Sequence, residues 1–399
     1  MEADARFPAP SAPAGGNRLD AHSMIGMARV GAPVASPDGT KVAYAVRRWD
    51  AAKKKWGSSL RLLDLAGWEA AGSEPGGAEE FTTQLTRVAA GVSDSGPVFA
   101  PDSASLAFTS NRSGSSQVWV LPSLAGPGEA TQLTDLPLDV SDVRWGAGDQ
   151  LFFACSVFPS LSIEATAAKD KELEEQKSSG VNAMSFTSLP VRHWDTWLDS
   201  KRNHLFVSRI TREPEGGAWT AGEPQDLLAG LDTDCPLRPF GGAEDYSIAP
   251  DGSSVVYCCR EPPPADGLSD EAWSTNTNLF LHMLRSSTNP LDTPRRSARS
   301  PARSPAAFSD EEADEPDDVP TSPAVRAVSA ARRRSRLVFL KVVVSAREDC
   351  CWAQVPGGSR AAGCLTTGNE GYDTAPAFSP DSQQLAYLSM ASAGCKRSS

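Results

Sequence analysis

The chain has 399 residues, a formal net charge of −12, 31 Pro and 32 Gly, and 40% hydrophobic residues. That length holds two or three average domains or one large repeat domain, and the acidic balance speaks against a nucleic-acid partner, which needs clustered Lys and Arg. No run reaches the ~18 apolar residues of a membrane span and no basic-then-apolar leader opens the chain, so no membrane partner is expected and the reading is a cytoplasmic protein.

Residues 1–28 are polar and rich in Pro and Ala, which predicts a disordered tail. The first patterned stretch is "PVASPDGTKVAY", Pro33 to Tyr44. Pro presets φ at the second turn position, Asp bonds nearby amides, and Gly takes a positive φ without strain. Beyond the turn, Val42, Tyr44 and Val46 alternate with Ala43 and Ala45, the period of a strand with one bulky and one small face. "SLRLLDL" (Ser59 to Leu65) supplies its neighbour. The basic "AAKKKWG" between them (Ala51 to Gly57) reads as a solvated loop.

The phrase returns at Pro97 to Phe108, Tyr246 to Tyr257 and Pro376 to Tyr387. The second copy continues through "SLAFTSN" to "QVWVLPSL", and the third through "SVVYCCR" to "TNLFLHML". Val140 to Phe158 keeps the rhythm but has lost the Pro-Asp turn. Small antiparallel units of this kind cannot bury both faces alone and stack radially. The predicted fold is all-β: an incomplete β-propeller of about five blades plus the start of another, spanning 29–285 and 351–390. A β-sandwich with coincidental turn phrases is the alternative. Ser162 to Gly180 is charged and favours a short exposed helix between blades. Residues 286–350 contain "RRSARSPARSP", "SDEEADEPDD" and "ARRRSR", a low-complexity insertion with too little apolar surface to fold. It reads as an inert loop, or as a regulatory segment whose Ser-Pro sites would gain charge on phosphorylation. Residues 391–399 form a tail.

The eight cysteines include the adjacent pairs Cys258–Cys259 and Cys350–Cys351, with no C-x-x-C. They read as free or buried thiols rather than a disulfide frame. His22, His193, His204 and His282 are the only histidines. His193 and Asp195 stand two apart and would share a strand face, but blade packing is the better reading, with Trp194 and Trp197 in the core. "DTDCPLRPFGG" (Asp232 to Gly242) does not match a calcium loop. No zinc spacing, P-loop or G-x-S-x-G occurs, so no catalytic, cofactor or metal residue is assigned and no cofactor is expected.

"SGVNAMSFTSLPVRHWDTWLDSKRNHLFV" (Ser179 to Val207) resembles the dipeptidyl-peptidase V and acylaminoacyl-peptidase branch of the prolyl oligopeptidase family. So do "RVGAPVASPDGTKVAYAVRRWD", "EDYSIAPDGSSVVY", "EAWSTNTNLFL" and "LTTGNEGYDTAPAFSPDSQQLAYLSM". The likeness runs from about Arg29 to Met390 with gaps at the insertions; the material between "AWSTNTNLFL" and "LTTGNEGYDT" is a departure from the family pattern. The resemblance implies a propeller covering a C-terminal α/β-hydrolase domain that carries Ser, Asp and His. That domain is absent here, so the catalytic residues are expected beyond Ser399 and the chain is expected to be a truncated product. The implied role is a non-catalytic gate of a serine peptidase acting on short peptides. The alternative is a stand-alone TolB-like propeller that binds a protein partner.

Overall fold

The computed structural model describes residues 19–74, 76–87, 89–125, 129–178, 180, 192–193, 196–197, 199–213, 219–261, 276–284, 363–366, 372–382 and 384–389. The expected low-complexity insertion and C-terminal tail lie outside them. Within the stretch expected to be an unstructured N-terminal tail, Ala21–Gly26 is a short helix. Asp20 caps it, its Oδ1 accepting from Ser23 N at 2.6 Å, which satisfies one of the orphan amides of a helix start.

The strands group into successive antiparallel sheets. The first holds Arg29–Val30, Val34–Ala35, Lys41–Asp50, Lys55–Asp64 and Thr82–Gln84. The second holds Asp94–Phe99, Leu106–Ser110, Gln117–Leu121 and Thr131–Gln132. The third comprises Ser141–Trp145, Gln150–Val157, Arg202–Arg212, Trp219–Ala221 and Gln225–Asp226. The fourth comprises Tyr246–Ile248, Ser254–Cys259, Asn278–Met283 and Gly363–Cys364, and Asp373–Phe378 with Leu385–Ser389 opens a fifth. The described residues thus make four full sheets and an opening hairpin, one unit fewer than the phrase count suggested. The stretches 140–158 and 202–226 are one sheet, because Gln150–Val157 pairs directly with Arg202–Arg212. The expected helix, Ile163–Ser178, sits in the connection between those two strands.

Alternation along single strands shows how the sheets stack. Phe153 and Phe206 pack on the second sheet with Val118 and Val120, while their neighbours Phe152 and Leu205 pack on the fourth with Val255 and Tyr257. Val256 and Cys258 turn the other way, onto Leu385 and Tyr387. Ala43, Leu60 and Leu62 meet Leu106 and Phe108. Side chains of period two therefore feed two cores from each inner sheet, as face-to-face blades require. Ala43 is on the small face of its strand, and that is the face packed on the second sheet.

The phrase is a single turn used four times. The fourth residue donates to the first: Gly39 to Ser36, Ser103 to Ala100, Gly252 to Ala249 and Ser382 to Ser379, at 2.8–3.0 Å. That fourth residue has φ of +71, +56, +71 and +57° respectively. Where it is Ser, its hydroxyl ties the turn to its neighbour. Ser103 Oγ accepts from Asp38 N at 3.1 Å and Ser382 Oγ accepts from Asp251 N at 3.0 Å. Where the third sheet lacks the phrase, Gln150 donates from Nε2 to Gly252 O at 3.1 Å. The turns of consecutive sheets thus lie together at one end of the stack.

Candidate functional site

Because the strands alternate in direction, the starts of the first strands and the loops between second and third strands collect at the opposite end. The first strands are innermost: Tyr246 Oη donates to Asp142 O at 2.5 Å, joining the first strands of the third and fourth sheets. This end carries its own ladder. Ser58 N donates to Val92 O, Val140 N to Ser116 O, Cys235 N to Asn203 O and Asp373 N to Thr277 O. Each bond runs between a sheet and the entry into the next.

Three of the first strands are kinked where they enter. The register shifts between Ser95 and Val98, Ser141 and Arg144, and Thr374 and Ala377. Gly96, Asp142 and Ala375 have φ of +57, +51 and +51° there. A β-bulge re-aims side chains, and in these strands the re-aimed segment contains or adjoins an aspartate: Asp94, Asp142 and Asp373.

Asp94 is fully buried. Arg112 Nη2 lies 2.7 Å from both of its oxygens, and Ser110 Oγ donates to Oδ1 at 2.7 Å. The Arg112 guanidinium also lies 4.9 Å from the Trp119 ring centroid. Beside this pair opens a cleft of about 390 Å³, lined by Ser93, Ser95, Thr109, Asn111, Ser116 and Asp139 among others. Its wall is hydroxyl-rich with one carboxylate, Asp139, and much of it is internally bonded: Ser95 and Thr109 hydroxyls share a bond of 3.0 Å, and Ser116 N donates to Asp139 Oδ1 at 2.7 Å.

Farther round, Asp142, Glu244 and Asp245 face one another. Burial pushes the Asp142 carboxyl up, and the nearby Glu244 charge adds to it. Burial also pushes Asp245 up, to about 6, against the opposing bond from Leu237 N, at 2.8 Å. Asp245 Oδ2 and the Leu237 backbone occupy the space where a Cβ on residue 241 would lie, within 2.5 Å, so Gly241 has no substitute. Arg144 Nε donates to Ala243 O at 2.8 Å and partly offsets this negative group.

The loop from Asp232 to Gly242 is held by charge. Arg202 pairs with Asp232 at 2.8 Å, and Arg238 with Asp234 at 2.8 Å and Asp199 at 3.0 Å. Lys201 reaches Asp170 of the helix at 3.0 Å. The loop read as failing a calcium pattern is thus a salt-bridged strap.

The histidines do not converge. His22 is exposed, and the His193 side chain and Asp195 lie outside the described residues. Trp197, expected in the core, is 49% exposed, since it sits on a two-residue ribbon outside the blade sheets. The pair that does form is one spacing could not suggest. Buried His204 places Nδ1 2.8 Å from Asp226 Oδ2 and Nε2 3.0 Å from Leu231 O. Strand pairing of Phe206 with Asp226 creates it across 22 residues of chain. Among the described residues no hydroxyl bonds to either member, so the pair fastens a strand and has no nucleophile to activate.

Cys155, Cys235, Cys258 and Cys259 are free, buried thiols, as the sequence reading expected for these positions. Burial pushes Cys155 and Cys258 up to about 12. Cys258 and Cys259 face opposite cores. Thiols held protonated in apolar surroundings are poor nucleophiles.

No family model matches the chain. Dipeptidyl-peptidase 5 of Porphyromonas endodontalis is 27% identical over 267 residues, covering 66% of this chain and 33% of that protein. Dipeptidyl-peptidase 5 of Porphyromonas gingivalis is 26% identical over 284 residues, covering 68% of this chain and 35% of that protein. The chain thus spans about a third of the length of these curated relatives. Among solved structures, Pyrococcus horikoshii acylaminoacyl peptidase aligns with a TM-score of 0.37 at 13% identity, over 66% of this chain and 32% of that one. The β-propeller domain of the Pyrococcus furiosus trilobed protease aligns with a TM-score of 0.27 at 14% identity, over 64% of this chain and 68% of that one. Over about two thirds of its length, the chain is related to peptidases of the prolyl oligopeptidase family.

Proposed function

We propose that this relative of the prolyl oligopeptidase-family peptidases is a propeller portion that controls which peptides reach a hydrolase site and takes no part in bond breaking. The observation that carries the reading is the inner end of the stack. Its polar groups are committed to holding sheets together, and they frame a hydroxyl-lined cleft beside an acidic mouth. Acyl transfer needs a serine on a sharp strand-to-helix turn with a base in reach. The sequence holds no G-x-S-x-G, and among the described residues no hydroxyl bonds to the His204–Asp226 pair.

A mouth lined by carboxylates suits short peptides that enter amino-terminus first. Asp142 and Glu244 would meet the ammonium by charge, and the hydroxyl-rich wall from Ser93 to Ser116 would tolerate varied side chains. The substrate class of the complete machine is then short or unstructured peptides, with no cofactor. Among the described residues no helix is long and apolar enough to cross a membrane, and work in the cytoplasm is part of the same proposal.

Two measurements test it. The purified chain should resist labelling by a fluorophosphonate, and covalent labelling would end the non-catalytic reading. A chimera in which this chain replaces the matching third of the Porphyromonas gingivalis relative should cleave short peptides far faster than long unstructured ones. Equal rates on both would end the gating reading and leave a stand-alone binding propeller.

A further inference from the structure

In the stretch expected to be a solvated loop, Ala51 to Gly57, residues 51–54 are an exposed turn and Lys55, Trp56 and Gly57 already belong to the returning strand. Lys41–Asp50 and Lys55–Asp64 run in register to the tip, with Trp49 opposite Trp56 and Asp50 opposite Lys55. Asp50 Oδ1 accepts from Ala52 N and Lys53 N, both at 3.0 Å, and closes the turn. The tip is therefore a built hairpin end.

Its surface is unusual for a chain of net charge −12. Arg29 lies directly opposite Arg47 on the neighbouring strand. Like charges so placed cost stability. Both guanidiniums nonetheless lie over one ring, with their carbons 4.6 and 4.7 Å from the Trp56 centroid. Trp49 meets Trp56 edge-on at 5.5 Å. Register places all four side chains on one face. Lys53, Lys54 and Lys55 are exposed at the turn just beyond. Among the described residues, none of these five cations is ion-paired. Elsewhere on this chain arginines sit on carboxylates, as Arg112, Arg202 and Arg238 do.

We propose that this hairpin tip is a docking site for a short acidic peptide segment, rich in Asp or Glu and bound extended. Aromatic stacking holds the Arg29 and Arg47 forks open for bidentate carboxylate bonds, and the lysines add point charge. From Arg47 to Asp50 the strand covers about 10 Å, and the turn extends the patch, matching four to six extended residues at roughly 3.3 Å each. A longer polyanion such as nucleic acid would extend past this short cationic tip of an otherwise net acidic chain. An anionic membrane would call for an apolar wedge, whereas Trp49 and Trp56 are half-buried against each other and under guanidiniums. The site goes beyond the gating reading and requires no peptide to be cleaved.

The test is fluorescence anisotropy of labelled hexaglutamate and hexaglutamine peptides titrated with the full chain, at about 0.05 M and about 0.3 M salt. Hexaglutamate should bind and weaken steeply with salt, and hexaglutamine should not bind. Arg29→Gln with Arg47→Gln should weaken hexaglutamate by roughly a hundredfold, about tenfold for each fork lost. Arg47→Lys, which keeps the charge but loses the fork, should fall between. If the arginine variant loosens the sheet, Lys53→Gln/Lys54→Gln/Lys55→Gln changes only exposed turn side chains and should still weaken binding several-fold. Equal binding of both peptides, or variants that bind as the parent does, would overturn the proposal. Preference for a single-stranded oligonucleotide or for phosphatidylserine vesicles over hexaglutamate would overturn it as well.

Discussion

The two ends of the stack are built on different principles. At one end lie four copies of the same turn, each closed by the same backbone bond, with a serine after the aspartate tying two of them to a neighbouring turn. At the other end nothing repeats in detail: a buried Asp94–Arg112 pair, a salt-bridged strap, an exposed helix and a cationic hairpin tip each occur once. The backbone bonds are regular at both ends, closing each turn at one and linking successive sheets at the other, so the contrast lies in the side chains. Repetition marks where the chain solves one packing problem again and again. Variation marks where the side chains are available for other tasks.

The sharpest way to break this contrast is at the end that varies. Arg112→Ala would leave the fully buried Asp94 carboxylate without its cation. Breaking a buried pair in this way costs about 3–5 kcal/mol, so urea denaturation should show a larger loss than any single turn substitution produces. A loss below about 1 kcal/mol would mean that the pair is solvated like a surface bridge.

The repeated end should respond in a graded way. Gly39 and Gly252 occupy the same turn position with the same φ of +71°. A Cβ at residue 39 meets open space, whereas at 252 it would lie 2.9 Å from Ala147 Cβ and 3.1 Å from Gln150. Gly39→Ala should cost about 1–2 kcal/mol from backbone strain alone, and Gly252→Ala about 2–4 kcal/mol, because crowding is added. Equal losses would show that the turns do not press on one another.

The smallest effect concerns pH. Burial raises Asp245 from 3.8 to about 6, so the folded chain holds that proton longer than the unfolded one. Its contribution to stability is therefore greatest below the unfolded value, falls as pH rises between about 4 and about 6, and is level above. Asp245→Asn keeps an oxygen for Leu237 N–H and removes the titration. Its melting temperature should gain on the parent's across that window, and parallel curves would show that Asp245 ionises normally.

The repeated part of the molecule was legible from sequence. Pro, Asp and a φ-positive residue specify a turn locally, and alternation specifies strands with two buried faces, so propeller-like stacking could be read from Pro33–Tyr44 and its copies. The helix after Ser162 was legible for the same reason, from charge and propensity alone. Tertiary structure was needed to show that 140–158 and 202–226 are one sheet, because the helix and the residues after it separate strands that pair directly. It likewise decided His204 with Asp226 and Arg29 opposite Arg47, partners chosen by register between strands distant in sequence. It also showed that the last three residues of "AAKKKWG" are strand while the rest is the expected exposed turn, and it moved Trp197 out of the core. Local chemistry fixes how a strand begins and turns; which strand lies beside it, and so which side chains meet, is settled by burial of faces that no short stretch contains.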